Sequence, residues 1–232
     1  MLDTKAESLE PVYVNTHREL DDMFREMQMW FDGKETEQNW LKREQSIGKL
    51  RRLIVGNAAS DYREDYINGA RALLDGIIKA MTSLRTSLSK EGCALIQEMA
   101  SAFGPQMDSM VELLMQTLLK LSAATKKIAS QLASQTIDVI LSKVTYHNRL
   151  MQHIWGACQD KNVQPRVYAT GWLKTILKKE EHHKSHLEHT GGLDLIEKCI
   201  KKGLADANPG VKEKMRSVYW QFAGMWPARA EA

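Results

Sequence analysis

From Glu19 to Phe31 the apolar residues Leu20, Met23, Phe24, Met27, Trp30 and Phe31 recur at steps of three and four, the spacing that lines one buried face of an α-helix. Thr16, followed three residues later by Glu19, supplies an N-cap and capping-box pattern, so the first helix starts there. The polar run DGKETEQN breaks the period. NWLKREQSIGKLRRLIV then restores it, with Leu41, Ile47, Leu50, Leu53 and Ile54 on the inner face. The same alternation continues along the chain. Residues 61–81 and 87–103 are helical on either side of TSLRTS, and Pro105 ends that pair. SAAT joins 107–121 to 126–144, QDKNVQ joins 147–158 to 165–179, and DANPG joins 192–204 to 211–226. Ten helices in five hairpins, with no convincing alternating strand pattern, predict an all-α, curved α-solenoid of about five HEAT-like hairpins. First helices would line one side, second helices the other, and the intra-hairpin turns one edge. The hairpins fall at about 17–57, 61–104, 107–145, 147–180 and 192–227. They lie in a single domain, 17–227, between a polar lead of residues 1–16 and a tail of residues 228–232.

Composition agrees with this reading. At 232 residues the chain exceeds the usual single domain, but repeats stay continuous at that length because each touches only its neighbours. Hydrophobic residues form 43% of the chain and charged ones 26%, enough for a core in a soluble protein. Cys93, Cys158 and Cys199 are far apart, odd in number and without a CxxC pair, so they are expected to be reduced and buried in a cytosolic or nuclear protein. No apolar run is long enough to span a membrane, and MLDTKAESLE lacks a signal-peptide pattern. The net charge of +3 does not by itself imply nucleic-acid affinity, so the placement of charge decides.

That placement is read from the last two turns. Asp160, Asn162 and Arg166 superpose on Asp206, Asn208 and Lys212 in identical register. Counting back, the cation position falls on Arg43, Lys90, Lys127, Arg166 and Lys212, one per hairpin. Basic residues in a first helical turn oppose the helix dipole, so helix stability does not explain the column. Lys42, Arg85, Lys126 and Lys161 thicken it into a positive strip suited to an acidic surface. A second reading stays open: Asp160, Asp206, Arg166 and Lys212 can form an internal ladder of ion pairs, which leaves the loop residues Arg85, Lys126 and Lys161 facing outward. Trp40, at the end of the first loop, is either a binding anchor or an indole folded back over the hairpin. Trp30, Trp155, Trp172, Trp220 and Trp226 have core spacing.

Catalytic chemistry finds no support. His182, His186 and His189 could share a helical face and hold zinc, but no Cys accompanies them and a Gly-Gly break follows, so a solvated connector is expected. The acid pairs Asp21-Asp22 and Glu180-Glu181 read as solvated, and DGIIKAMTS lacks the phosphate-loop glycines. No enzyme activity, cofactor or metal is expected. Few aromatics interleave with the cations, which weighs against single-stranded nucleic acid. A scaffold that takes a peptide in its concave groove is an alternative.

Trp40 in the first turn and cations in the later ones resemble the TOG domain family, HEAT-repeat modules that bind tubulin through their intra-repeat turns. The resemblance covers about residues 12–226 and is nearest to the second TOG domain of CLASP (CLIP-associating) proteins. It is carried by THRELDDMFREM, NWLKREQSIGKLRRLIVGNA and DANPGVKEKMRSVYWQF. It implies contacts from Trp40 and Arg43; from Ser83, Leu84, Arg85 and Lys90; from Lys126 and Lys127; from Lys161, Asn162 and Arg166; and from Asn208 and Lys212. It further implies a monomeric, non-catalytic module whose partner is the αβ-tubulin dimer or microtubule lattice. The parent would be a longer microtubule-stabilising regulator that suppresses catastrophe and favours rescue. Its place would be cytoplasmic or spindle microtubules, the spindle being nuclear in an organism with closed mitosis. The 16-residue lead is too short and polar to supply the extra helix that usually precedes the first repeat in that family's second TOG domain.

Overall fold

The computed structural model describes residues 8–232, which are helical with no strand among them, as expected for an all-α repeat fold. They form two compact units that divide between Met107 and Asp108.

The first unit holds α1 (His17–Trp30), α2 (Trp40–Val55), the short α3 (Ala58–Asp61), α4 (Arg63–Ala72), α5 (Leu74–Met81), α6 (Thr86–Phe103) and a closing 3-10 turn, Gly104–Met107. Thr16 caps α1 as expected, its Oγ1 accepting from the Glu19 N–H at 3.1 Å, while the Glu19 carboxylate accepts from Asn15 N. Leu20, Phe24 and Met27 bury the α1 stripe against Tyr66, which is fully enclosed. The Tyr66 ring lies 5.7 Å from Phe24 and 5.2 Å from Phe103, and its hydroxyl donates to the Leu50 carbonyl. Burial pushes that phenol well above its ordinary pKa.

Two expectations need correction here. The single helix anticipated over 61–81 is divided at Tyr62 and Leu73. Gly69 and Gly76, on either side of Leu73, abut the rings of Phe24 and Phe31 so closely that any side chain would clash, and the break lets both glycines reach them. Leu41 is 49% exposed rather than inward-facing, because Arg43 takes the buried side of that first turn.

The described part of the lead, residues 8–16, is extended and pinned rather than a free polar segment. Asn57 brackets Val14 with two 2.8 Å bonds, Val12 N donates to the Arg52 carbonyl, and Val14 is buried. Residues 1–7 of the expected lead lie outside the described residues. The Val12 carbonyl sits where a Cβ on Gly56 would be, 1.9 Å away. Gly56→Ala should therefore expel the lead and cost about 1–3 kcal/mol. Chemical denaturation together with faster proteolysis near Val12 would show it; an unchanged midpoint and digestion pattern would contradict the docking.

The second unit contains α7 (Asp108–Ser122), α8 (Lys127–Lys143), α9 (Asn148–Cys158), α10 (Val163–Lys179), α11 (Ser185–Glu188), α12 (Gly192–Leu204), α13 (Pro209–Met225) and α14 (Pro227–Ala230). Three hairpins stack so that α9 lies between α7 and α12, and α10 between α8 and α13. Polar links tie the second helices. Trp172 Nε1 donates to the Ser134 carbonyl at 3.1 Å, Thr175 bonds Asp138, and Lys174 Nζ donates to Ser217 Oγ at 2.8 Å. All three cysteines are buried thiols. Contact with Cys158 and burial push the Cys199 thiol up, away from the reactive thiolate.

The segment after α10 is mostly exposed, His182, His186 and His189 included, as expected of a solvated connector, but it is anchored at several points. Glu180, read as solvated, is buried and lies 2.8 Å from His186 Nδ1, and Leu187 is buried beside them. Lys184 Nζ donates to the Met225 carbonyl, and Trp226 Nε1 donates to Glu188. The expected tail folds back as α14, where Arg229 pairs with Asp194 and Glu197. Trp226 and Trp172 are buried, Trp30 and Trp155 half-buried. Trp220 is 70% exposed, because the buried stripe of α13 runs through Val211, Met215, Val218 and Phe222 and leaves residue 220 outside it.

Candidate protein-binding turns

In the first unit, the loop between α1 and α2 is closed from beneath. Arg43 is 1% exposed, and its Nε and Nη2 donate to the carbonyls of Trp30, Asp32 and Gly33 at 2.9, 3.2 and 3.1 Å. Lys79 Nζ adds bonds to the Phe31 and Gly33 carbonyls. Gly33 takes φ +67°, the left-handed conformation that lets this stretch turn its carbonyls inward. Burial lowers the Arg43 pKa against the pull of Glu35, yet a guanidinium remains charged. Arg43 is therefore a turn lock, and its expected place in an exposed strip is corrected on grounds of burial.

The loop tip is ordered by its own side chains. Thr36 Oγ1 accepts from the Gln38 and Asn39 N–H groups, and Asn39 bonds both Thr36 N and the Lys34 carbonyl. The half-buried Trp40 follows. The Arg85 guanidinium, from the next turn, lies 4.7 Å from the Trp40 ring centroid and pairs with Glu35 and Glu37. Trp40 is thus a platform stacked by a cation, which settles its position between the two earlier readings: partly covered, still at the surface. Glu35 and Glu37 neutralise part of the positive character expected of Arg85. Neither glutamate figured in the positive strip expected from the sequence. Leu84, at the tip of the second turn, is 94% exposed, and Ser83 Oγ accepts from Arg85 N beside it.

In the second unit the repeated Asp-x-Asn has a mechanical meaning. Asp160 Oδ1 accepts from Asn162 N, and Asn162 Oδ1 accepts from Gln164 N. Asp206 and Asn208 repeat this, with Asn208 capping Gly210 N and Val211 N. Asn162 Nδ2 also reaches back to the Ala123 carbonyl of the preceding turn. Arg166 grips Asp206 through Nε at 2.9 Å and Nη2 at 3.2 Å, while Nη1 donates to the Asp160 and Lys161 carbonyls. The ladder expected from Asp160, Asp206, Arg166 and Lys212 has this one rung among the described residues; the Asp160 carboxylate serves its own turn, and Lys212 stands half-buried without a carboxylate. Lys126, Lys127 and Lys161 are exposed.

Burial alone would push the Asp206 carboxyl up, but the Asn208 N–H and the Arg166 guanidinium outweigh it and hold the carboxyl below the usual range. Its folded pKa is thus lower than its unfolded one. The stability it contributes is present above the unfolded value, about 3.9, and is lost as pH falls through the folded value. Asp206→Asn should cost about 2 kcal/mol near neutral pH, with the two proteins converging below about pH 3.9. Denaturant titrations across that range check it; a pH-independent difference would contradict the pair.

The helix starts also revise the column register. Arg43, Arg166 and Lys212 are the fourth residues of α2, α10 and α13, whereas the fourth residues of α6 and α8 are Ser89 and Ser130. Ser89 Oγ donates to the Met81 carbonyl, closing its turn much as Arg43 closes the first. Ser130 bonds the Lys127 carbonyl and Tyr168. Lys90 is exposed one place further along α6, and Lys127 opens α8, so neither belongs to that column. Two exposed apolar residues that the sequence reading missed as surface groups stand in first turns: Leu41, and Ile128 at 46% exposure. The signal was available, since both fall out of phase with the buried stripe of their helix.

Comparison with known proteins places this arrangement. The family described as CLASP N terminal matches residues 20–232. The chain is 74% identical to Protein STU1 of Chaetomium globosum over 97% of its own length and 20% of that protein, and 71% identical to Protein stu-1 of Neurospora crassa over 99% and 20%. It therefore spans about a fifth of the length of these curated relatives. Among solved structures, the TOG domain of human Cep104 superposes with a TM-score of 0.56 at 16% identity, covering 96% of this chain and 88% of that one. A structure described as "TOG-tubulin binding specificity promotes microtubule dynamics and mitotic spindle formation" does so at 0.56 and 11% identity, covering 98% and 86%. The fold is thus that of TOG and related helical-repeat scaffolds, and the chain belongs to the CLASP N-terminal family.

Proposed function

We propose that this chain is a non-catalytic module that binds αβ-tubulin, free or in the microtubule lattice, through its intra-repeat turns. The observation that carries the reading is Trp40, an indole held at a loop tip by the Arg85 guanidinium rather than buried in the core. Preordering matters, because an aromatic already fixed in place loses little entropy on binding. Leu84 in the second turn adds an exposed apolar contact beside Ser83 and Arg85, and Lys90 lies further along α6. In the second unit, Lys126, Lys127, Lys161 and the half-buried Lys212 supply positive charge for steering toward an acidic surface, with Asn162, Arg166 and Asn208 shaping the turns behind them. Family membership and the TOG fold support the same partner. Within a longer parent the module would stabilise cytoplasmic and spindle microtubules as a monomer.

The test is a variant carrying Trp40→Ala, Lys126→Glu and Lys127→Glu. It should lose size-exclusion co-elution with tubulin and microtubule pelleting while keeping wild-type helicity and melting temperature. Unaltered binding by this folded variant would sink the proposal.

A further inference from the structure

Away from the turns, the second unit presents a surface built from α10 and α13. Trp220 on α13 is 70% exposed, its sole ring neighbour among the described residues being Tyr219 at 5.1 Å. Trp220 stacks on no cation and closes no core, unlike Trp40 or Trp172. One turn on lies Gly224, and on α10 lies Gly171; both are exposed helical glycines with nothing within 4 Å of where a Cβ would stand. Neither glycine is required by packing or by backbone conformation, although each weakens its helix. Helical periodicity aligns Gly171 with Lys174 and Lys178, and Gly224 with Trp220 and Arg216. The two rows adjoin, because Lys174 Nζ donates to Ser217 Oγ and Gln221 Nε2 donates to the Lys174 carbonyl.

On α10 and α13 themselves the charge is one-sided, the neighbouring Asp138 of α8 being bonded to Thr175. α10 contains no acidic residue and α13 a single one, Glu213, whereas Lys174, Lys178 and Arg216 are exposed. No ion pair among the described residues engages these three cations.

We propose that this face docks an extended, glutamate-rich peptide segment of a partner protein. Carboxylates meet Lys178 and Arg216, the peptide backbone approaches over the bare stretches at Gly171 and Gly224, and Trp220 covers the segment while its indole N–H donates to it. A nucleic acid fits less well, since a single exposed aromatic offers no series of stacking platforms. The face shares no residue with the turns proposed for tubulin, so each stands or falls alone.

The experiment is fluorescence anisotropy of a labelled peptide of alternating Glu and Gly, titrated with the whole chain. Saturable binding is expected that weakens with salt and falls about tenfold or more in Trp220→Ala. Gly224→Ala separates binding from folding, since it should raise the melting temperature and still weaken the peptide. Absence of saturable binding, or equal binding by Trp220→Ala, overturns the proposal. Tighter binding of a single-stranded oligonucleotide that depends on Trp220 overturns it in favour of nucleic acid, and Trp220-dependent self-association in sedimentation does so in favour of a second copy.

Discussion

Arg43→Ala should destabilise the first unit by about 3–5 kcal/mol, the range for removing one member of a buried charged network, and lower its melting temperature by roughly 15–20 °C. The reason is local. The part-buried Trp30 and Asp32 carbonyls would lose their side-chain donor, each at up to about 1–3 kcal/mol, whereas the Gly33 carbonyl would keep Lys79. The guanidinium also packs 5.6 Å from the Phe31 ring, so the deletion leaves a void as well. Arg43→Lys keeps the charge but not the fork, and should recover only about half the loss. Lys90→Ala, at the position once aligned with Arg43, should stay within about 0.5 kcal/mol of wild type. Differential scanning calorimetry of the three variants decides the matter; similar, small effects for Arg43→Ala and Lys90→Ala would mean that the turn is not locked from below.

Trp40→Ala should weaken tubulin binding by about 30-fold or more, or roughly 2 kcal/mol, the threshold of a binding hot spot. Its effect on stability should be modest, about 0.5–1 kcal/mol for the lost stacking with Arg85. Arg85→Ala should reduce affinity less, because Glu35 and Glu37 already neutralise much of its charge. A double-mutant cycle between Trp40 and Arg85 should show coupling, since the cation fixes the ring that binds. Salt separates the two units' contributions: the Trp40 effect persists at high ionic strength, whereas a Lys161→Glu effect fades with screening. Affinity within twofold of wild type for folded Trp40→Ala would remove the anchor from the proposal.

The helices and their pairing were legible in the sequence because an apolar period of three to four is imposed by burial itself. Leu20, Phe24 and Met27 could hardly be read otherwise. The Asp-x-Asn repeat was equally legible, and its correct register for Arg166 and Lys212 followed from it. Extending that ruler backward failed at Lys90 and Lys127, since the second and third turns lack the Asp and Asn that set it. Serine occupies the equivalent positions there: Ser89 closes its turn through the Met81 carbonyl, whereas Ser130 bonds the Lys127 carbonyl of its own helix. Charge type was also a poor guide to exposure: Arg43 and Glu180 are buried because carbonyls and a histidine, respectively, partner them, and no local pattern announces such partners. Trp220 erred in the opposite direction: its spacing was taken as core, but the stripe through Val211, Met215, Val218 and Phe222 leaves it outside.

The lock beneath the first loop bears on how this module can change over time. Because Arg43 and Lys79 hold the chain path from Trp30 to Gly33 through main-chain carbonyls, which every residue type carries, while Thr36 and Asn39 order the tip, the side chains of Lys34 and Gln38 are not what defines where the backbone goes. Substitutions there can alter what the tip recognises without first having to preserve the hairpin, so selection can retune partner preference at that tip while the scaffold stays unchanged.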